Sequence, residues 1–275
     1  MMKIAVVITT YNRPDALERA LSGCLAQDDH GFELLVADDG STPATRSSVE
    51  RFAATAPFPV RHVWHQDRGF RAAAIRNRAI AATSADDVVF TDGDCVPLTG
   101  FVRNHRRLAD PGWFVAGNRI LLSREFTDQV LGVPPVALEK LSAGQWARRF
   151  LRRDVNRLAP LWQAGLGDPL GWRKAQPGRW QGAKTCNLGV WRADLVRING
   201  FDEAYSGWGL EDSDLVMRLL HAGVRHKNGR FGTSLAHLWH PENDRSRLVQ
   251  NRDRLDALAA SDRVRAETGL EQHAG

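Results

Sequence analysis

Carboxylates gather at three places in this chain, each beside glycine and apolar residues. The first is Asp38-Asp39-Gly40-Ser41. Two carboxylates followed by a small turn can point at a ligand, or can cap the turn, as Asp-Gly-Ser often does. The second is Thr91-Asp92-Gly93-Asp94, directly after the apolar Val88-Val89-Phe90. Hard divalent cations prefer oxygen ligands, and Mg²⁺-like ions take one or two carboxylates together with substrate phosphates. Gly93 lacks the bulk that would hold a diphosphate away. The third runs Gly207-Trp208-Gly209-Leu210-Glu211-Asp212-Ser213-Asp214. Acidic residues favour a helix N-terminus by themselves. A tryptophan beside a carboxylate also suits a sugar: the ring covers the apolar face of a pyranose while the carboxylate accepts a hydroxyl proton. His237 and His240 flank Leu238-Trp239 at the end of a strand-like run and add two imidazoles to the inventory.

These residues need a scaffold, and the pattern around them predicts one. Lys3–Thr9 is apolar and β-branched, as a buried parallel strand should be. Pro14 suits a first helical turn, and Ala16, Leu17, Ala20, Leu21, Cys24 and Leu25 then recur at helical spacing. Strands are expected at Glu33–Ala37, Val60–Trp64, Asp87–Thr91 and Ser234–Trp239, and a helix over Arg71–Ala82. Further helices are expected to start near Arg192 and Glu211, with a charged amphipathic helix over Asp244–Thr268 carrying Leu248, Leu255 and Leu258 on one side. Alternating strand and helix implies an α/β fold with a mainly parallel sheet flanked by helices. Ligands of such sheets bind beyond the carboxyl ends of the strands, where the acidic clusters fall. Neither GxGxxG nor GxxxxGK[ST] occurs, which weakens dinucleotide and P-loop readings.

From Ser123 to Gly182 the pattern loosens under Pro134-Pro135, Gly165, Gly167, Pro169, Gly171 and Pro177-Gly178, while Trp146, Trp162, Trp172 and Trp180 interleave with arginines. This stretch reads as an insertion or lid. Residues 148–184 hold nine Lys/Arg against Asp154 and Asp168, a local charge of +7 in a chain of net +5. Such a block can meet phosphates or an anionic surface, or can be a solvated basic face. The 275 residues suit one α/β domain with an insertion. Cys24, Cys95 and Cys186 are far apart and form no CxxC, which excludes a disulfide framework and a zinc ribbon and fits a reducing compartment. The opening apolar run is too short for a signal peptide, and no run approaches the ~20 apolar residues of a spanning helix. The expectation is therefore a cytoplasmic protein, with the basic block as the feature that could bring it to the inner membrane face.

In combination the motifs resemble glycosyltransferase family 2 with the GT-A fold. Val7-Ile8-Thr9-Thr10-Tyr11-Asn12-Arg13-Pro14 looks like the family's opening strand and turn, and Val36-Ala37-Asp38-Asp39-Gly40-Ser41-Thr42 like its second signature. Ala74-Ile75-Arg76-Asn77-Arg78-Ala79-Ile80 is close to its Ala-Arg-Asn helix, and Asp92-Gly93-Asp94 to its DxD. Asn187-Leu188-Gly189, Asn199-Gly200-Phe201-Asp202-Glu203 and Gly207-Trp208-Gly209-Leu210-Glu211-Asp212 are similar to a galactosyltransferase-type C-terminal segment, except that glycine is usual where Leu210 stands. Each motif alone is weak; five in order and spacing are specific.

The resemblance implies roles. Thr9, Tyr11, Arg13, Asp39, Arg76 and Asp92 would contact the nucleotide, Asp39 at the base (usually uracil) and Asp92 at the ribose. Asp94 and His237 would hold Mn²⁺ or Mg²⁺, with His240 as the alternative to His237 or as a diphosphate contact. Asp212 would be the catalytic base, and Trp208, Glu211 and Asn187 would place the acceptor. It further implies a GT-A domain over residues 1–242, followed by a C-terminal helix and tail over 243–275. Within that domain, 1–118 would be the nucleotide-binding half, 123–182 the insertion, and 183–242 the acceptor and metal-completing half. The implied reaction is a single inverting displacement from a nucleotide-sugar, most often a UDP-sugar, onto a hydroxyl of a glycan or lipid-linked acceptor in cell-surface polysaccharide or lipopolysaccharide synthesis. The basic insertion suggests an anionic acceptor or peripheral membrane contact; no nucleic-acid partner is expected. Two alternatives stand beside this reading: a DxD-type phosphatase using Asp92 as nucleophile, and a basic non-catalytic binding protein.

Overall fold

The computed structural model describes residues 2–158, 166–168, 170–242 and 244–273. Its first half contains β1 (Ile4–Thr10), α1 (Pro14–Leu25), β2 (Phe32–Asp38), α2 (Pro43–Ala53), β3 (Val60–Trp64), α3 (Ala72–Ala81), β4 (Asp87–Asp92), β5 (Cys95–Pro97) and α4 (Phe101–Leu108). Then follow β6 (Trp113–Ala116), β7 (Asn118–Leu121), α5 (Arg124–Leu131), α6 (Ala143–Leu151), β8 (Leu188–Trp191), α7 (Arg192–Arg197), α8 (Glu211–His221), β9 (Arg225–Asn228), β10 (Ser234–His237) and α9 (Leu248–Ala259).

A seven-stranded sheet in the order β3-β2-β1-β4-β8-β6-β9 forms the centre, and a three-stranded sheet, β5-β10-β7, lies beside it. The strands β3, β2, β1 and β4 are mutually parallel, and β8 runs antiparallel between β4 and β6. The continuous apolar runs make physical sense here, because both faces of the parallel strands are covered. Alternate residues divide between two cores: Ala5, Val7, Leu35, Ala37, Val88 and Phe90 face one. Ile4, Val6, Ile8, Leu34, Val36 and Val89 face the other. Each such fully buried aliphatic or aromatic side chain contributes about 1.5–3 kcal/mol relative to exposure. A register slip of one residue would exchange the two sets.

The structure departs from the sequence-based expectations in two regions. The stretch from Ser123, expected as an insertion or lid of loose pattern, contains two capped helices: Ser123 caps α5, and Ser142 with Gln145 forms a capping box on α6. Trp146 is buried with Phe126, Val130, Leu138 and Val155, and Trp180 packs partly buried against the main core. Trp146 and Trp180 thus serve as core, because a large ring gains much by burial; Trp172 is only partly buried, beside Phe231, and Trp162 lies outside the described residues. The helix expected over Asp244–Thr268 is confined to Leu248–Ala259. Before it, Asp244 accepts from the Ser246 amide in a local turn. After it, the chain turns back so that the amides of Ala266 and Leu270 bond the carbonyls of Ile198 and Asn199.

Candidate active site

The carboxyl ends of β1, β2 and β4 lie side by side, since Thr10 pairs with Asp38 and Thr9 with Asp92. The acidic turns therefore share one edge of the sheet. Asp38 is the turn-capping residue: its Oδ1 accepts from the Ser41 amide at 2.8 Å and its Oδ2 meets His62 Nε2 at 2.8 Å. Asp39 points elsewhere, with Oδ1 2.6 Å from His65 Nε2 and Oδ2 accepting from the Arg71 amide at 2.8 Å. A carboxylate has about four acceptor sites, so two remain for a ligand donor. Gly40 has φ +96, and a Cβ there would stand 2.5 Å from the Asp67 Cα, so only glycine fits this turn. Exposed Tyr11 and Trp64 stand over the same edge, and the Tyr11 hydroxyl donates to Asp67 Oδ2 at 2.9 Å. Arg13 is half-buried, 3.6 Å from Asp15.

Arg76 occupies the centre, on α3, and is only 4% exposed. Its Nε donates to Thr9 Oγ1 at 3.0 Å, its Nη1 to Glu211 Oε1 at 3.0 Å and its Nη2 to Asp92 Oδ1 at 3.2 Å. Three of its five N–H donors are thus taken by protein, and Phe201 packs at 5.5 Å. Arg76, expected among the nucleotide contacts, ties the second acidic cluster to the third. Burial raises the Asp92 carboxyl to about 6 even though Arg76 opposes the shift. Burial, followed by the neighbouring Asp212, raises Glu211 as well, again against Arg76. Gly93 allows close approach of Thr10: a Cβ there would stand 2.8 Å from Thr10 Oγ1.

Asp94 closes the far side of the cluster. His237 Nε2 lies 3.6 Å from its Oδ1 and His240 Nε2 3.4 Å from its Oδ2. Two ligand atoms each about 2.1 Å from one ion stand roughly 3.0–3.5 Å apart. A carboxylate with imidazoles is a donor set that Mn²⁺-like ions accept. Burial lowers the His237 pKa, which keeps the ring neutral, as a metal ligand must be. Cys95 shares this cluster, but burial holds its thiol protonated and it donates to Asp94 Oδ1 at 3.6 Å. Pairing of β10 with β5 brings His237 opposite Cys95, and so beside Asp94.

The third acidic cluster opens α8. Gly207 and Gly209 have φ +70 and +104, and Leu210 itself has φ +77 as the residue before the helix. The glycine usual at that place is explained, because a side chain costs about 1–2 kcal/mol in this conformation. Leu210 offsets part of that by packing partly buried against Met217, Leu255 and Leu258. The loop is tied from outside by Asn251, whose amide donates to the carbonyls of Ser206 and Gly209. The Trp208 ring carries the Arg245 guanidinium at 5.3 Å. Asp212 Oδ1 accepts from Lys184 Nζ and from Ser213 Oγ, each at 3.3 Å. Among the described residues nothing donates to its Oδ2.

Asn187 does not belong with an acceptor. It is 1% exposed. His105 Nε2 lies 3.0 Å from its Oδ1, and its Nδ2 donates to the carbonyls of Asn118 and Thr233. Every polar atom of its amide is used inside the protein, joining the turn before β8 to α4, to β7 and to the residue before β10. Sequence reasoning missed Lys184 beside Asp212, His65 and Arg71 on Asp39, and Arg119, which lies within electrostatic reach of Asp92 and Asp94. No spacing rule marks them, because each reaches the site from a different element.

Comparison with known proteins follows this geometry. Residues 5–158 match the family described as Glycosyl transferase family 2, and residues 175–241 match that described as N-terminal domain of galactosyltransferase. A validoxylamine A glucosyltransferase of Streptomyces hygroscopicus subsp. jinggangensis is 29% identical over 269 residues, covering 91% of this chain and 60% of its own length. The chain thus spans about three-fifths of that relative. Among solved structures, a mannosyltransferase from Pyrobaculum calidifontis in complex with GDP-Man and Mn²⁺ aligns with TM-score 0.61 at 20% identity, over 94% of this chain and 64% of that one. S. aureus TarS 1-349 in complex with UDP aligns with TM-score 0.62 at 16% identity, over 99% of this chain and 68% of that one. These likenesses establish the GT-A fold.

Proposed function

Because this chain belongs to glycosyltransferase family 2, as its match over residues 5–158 shows, we propose that it moves one sugar, with inversion, from a UDP-sugar to a hydroxyl of a glycan or lipid-linked acceptor. The process served would be cell-surface polysaccharide or lipopolysaccharide synthesis. The observation that carries this reading is the Arg76 guanidinium. It bonds Asp92 and Glu211 with one side chain, which brings the DxD turn and the Glu211-Asp212 pair next to each other. Relatives of the fold are described with UDP and with GDP-Man and Mn²⁺, which supports a nucleotide-sugar donor.

In this reading Asp39 accepts from the base, with Thr9, Tyr11 and Arg13 around the nucleoside and Asp92 at the ribose. Asp94 with His237 or His240 would hold Mn²⁺ or Mg²⁺, which when bound acts as a Lewis acid on the leaving diphosphate. Asp212 Oδ2 takes the proton of the acceptor hydroxyl as that oxygen attacks the anomeric carbon. Lys184 occupies the other carboxylate oxygen and keeps Asp212 oriented. Trp208 and Glu211 place the acceptor, and much of the remaining rate comes from that alignment. Residues 1–242 would form the catalytic unit and 243–275 its brace. Among the described residues no helix is long and apolar enough to cross a membrane, which is compatible with a catalytic unit acting at the cytoplasmic side. The phosphatase alternative needs a freely approachable Asp92 nucleophile, but Asp92 Oδ1 is paired with Arg76.

A panel of UDP-, GDP- and dTDP-sugars, screened by calorimetry with and without Mn²⁺, tests the donor. The Asp212→Asn variant tests the base: donor binding should persist while kcat falls by about 10²–10⁴. A fully active variant would refute the assignment of Asp212. A wild-type protein that binds no nucleotide-sugar would refute the whole reading.

A further inference from the structure

Of the basic block found in the sequence, the site described above uses Lys184 and leaves the N-terminal arginines aside. Its densest part is α6 and the turn after it. The inner side of this helix is fixed. Trp146 is buried, the Arg149 guanidinium lies 4.1 Å over Phe126, and Arg149 pairs with Asp154 at 3.0 Å. The outer side presents Arg148, Phe150, Leu151, Arg152 and Arg153, with exposed Arg157 following. Leu151 is 82% exposed and Phe150 41%. Asp154 is the one carboxylate between residues 148 and 157, and Arg149 takes it. Among the described residues, Arg148, Arg152, Arg153 and Arg157 have no ion-pair partner.

Cations in the last turn of a helix complement its dipole, which accounts for Arg148 and Arg149. It does not account for Arg153 and Arg157 beyond the helix, nor for two adjacent apolar side chains set outward among four unpaired guanidiniums. A soluble polyanion would satisfy the charges and give Phe150 and Leu151 nothing. A bilayer with anionic headgroups satisfies both, because guanidiniums sit at the phosphates while the apolar tips enter the acyl boundary.

We propose that the C-terminal turn of α6 and the segment through Arg157 form a docking surface for an anionic lipid bilayer. This deepens the acceptor reading above, on which its purpose rests, by naming the surface that would bring the cleft to a lipid-linked acceptor. The placement suits that purpose. The core under α6 also contains Ile120 and Ala236 from the small sheet and Leu238 directly after it, so the surface is braced against the strand that carries His237.

The test is co-sedimentation of the whole chain with phosphatidylcholine vesicles, with or without one-third phosphatidylglycerol. It uses neither donor nor acceptor, so its failure and that of the transferase reading are separable. The expected result is binding to the anionic vesicles alone, weakened by salt. The double variant Arg148→Gln, Arg152→Gln should reduce partition about thirty-fold, since each basic residue near such a surface contributes roughly fivefold. Leu151→Ser should reduce it with an unchanged salt dependence. If the helix variant lowers the melting temperature, Arg153→Gln with Arg157→Gln, outside the helix, should give the same loss in a fully folded protein. Equal partition of wild type and folded variants, equal binding to neutral vesicles, or retention on heparin with none on vesicles would overturn the proposal.

Discussion

Removing the Arg76 guanidinium by Arg76→Met should expose how much of the cleft depends on one side chain. Arg76 is buried, and its two terminal nitrogens bond Asp92 and Glu211 at 3.2 and 3.0 Å. Methionine fills much of the volume and supplies no charge. Buried Glu211 and partly exposed Asp92 then face each other without a cation, a change that costs up to about 3–5 kcal/mol for a fully buried pair. That is a large share of the roughly 5–15 kcal/mol that holds a domain folded. The loss should depend on pH, and its sign follows from linkage. Asp92 already stands at about 6 in the folded protein, above its ordinary 3.8, and Glu211 is raised too. Without Arg76 both rise further, so the folded variant retains protons that the unfolded chain releases. The deficit should therefore be smallest near pH 5 and should grow as pH rises through the folded values. At pH 8 it should exceed that at pH 5 by at least about 1.4 kcal/mol, the equivalent of one pKa unit. Urea unfolding followed by tryptophan fluorescence at pH 5, 6.5 and 8 measures it. Arg76→Lys, which keeps charge but cannot fork between two carboxylates, should recover less than half. A deficit below about 1 kcal/mol, or one flat across pH, would refute the bridge as the element that joins the two clusters.

Three further outcomes are expected. Asp94→Ala should weaken Mn²⁺ binding in the presence of UDP by more than about tenfold, read by calorimetry; an unchanged affinity would remove Asp94 from the ligand set. At position 210, glycine should be more stable than alanine by about 1 kcal/mol, because φ is +77 there and both variants lose the leucine contacts equally; thermal or urea unfolding decides the order. Asp87 is buried at the start of β4, and burial lifts its carboxyl to about 7. Its folded value lies above the unfolded one, so wild-type stability declines as pH rises toward 7. Asp87→Asn should gain on wild type by roughly 2–3 kcal/mol between pH 5 and pH 7, and parallel stability curves would show that Asp87 is solvated or paired.

The motif-bearing strands were legible because burial on both faces demands largely apolar runs, and Ile4–Thr10, Phe32–Asp38 and Asp87–Asp92 supply them. The helices α5 and α6 were obscured by the prolines and glycines around them, although the capping serines were in view. Arg76 and Asn187 show a different limit. Their types and positions mark them as important, but a motif does not say whether a polar side chain faces a ligand or the interior, and here Asn187 spends its whole amide inside while Arg76 bonds Thr9, Glu211 and Asp92.

The sequence by itself determined the α/β order, the acidic turns at strand ends and membership of a family, because periodicity and turn chemistry are local and act within a few residues. Only the tertiary structure decided that Lys184 meets Asp212, that His237 meets Asp94, and that Arg76 joins Asp92 to Glu211. Those pairs are separated by up to 143 positions. They become neighbours only when strand pairing and core packing choose one arrangement of the elements, which no local pattern encodes.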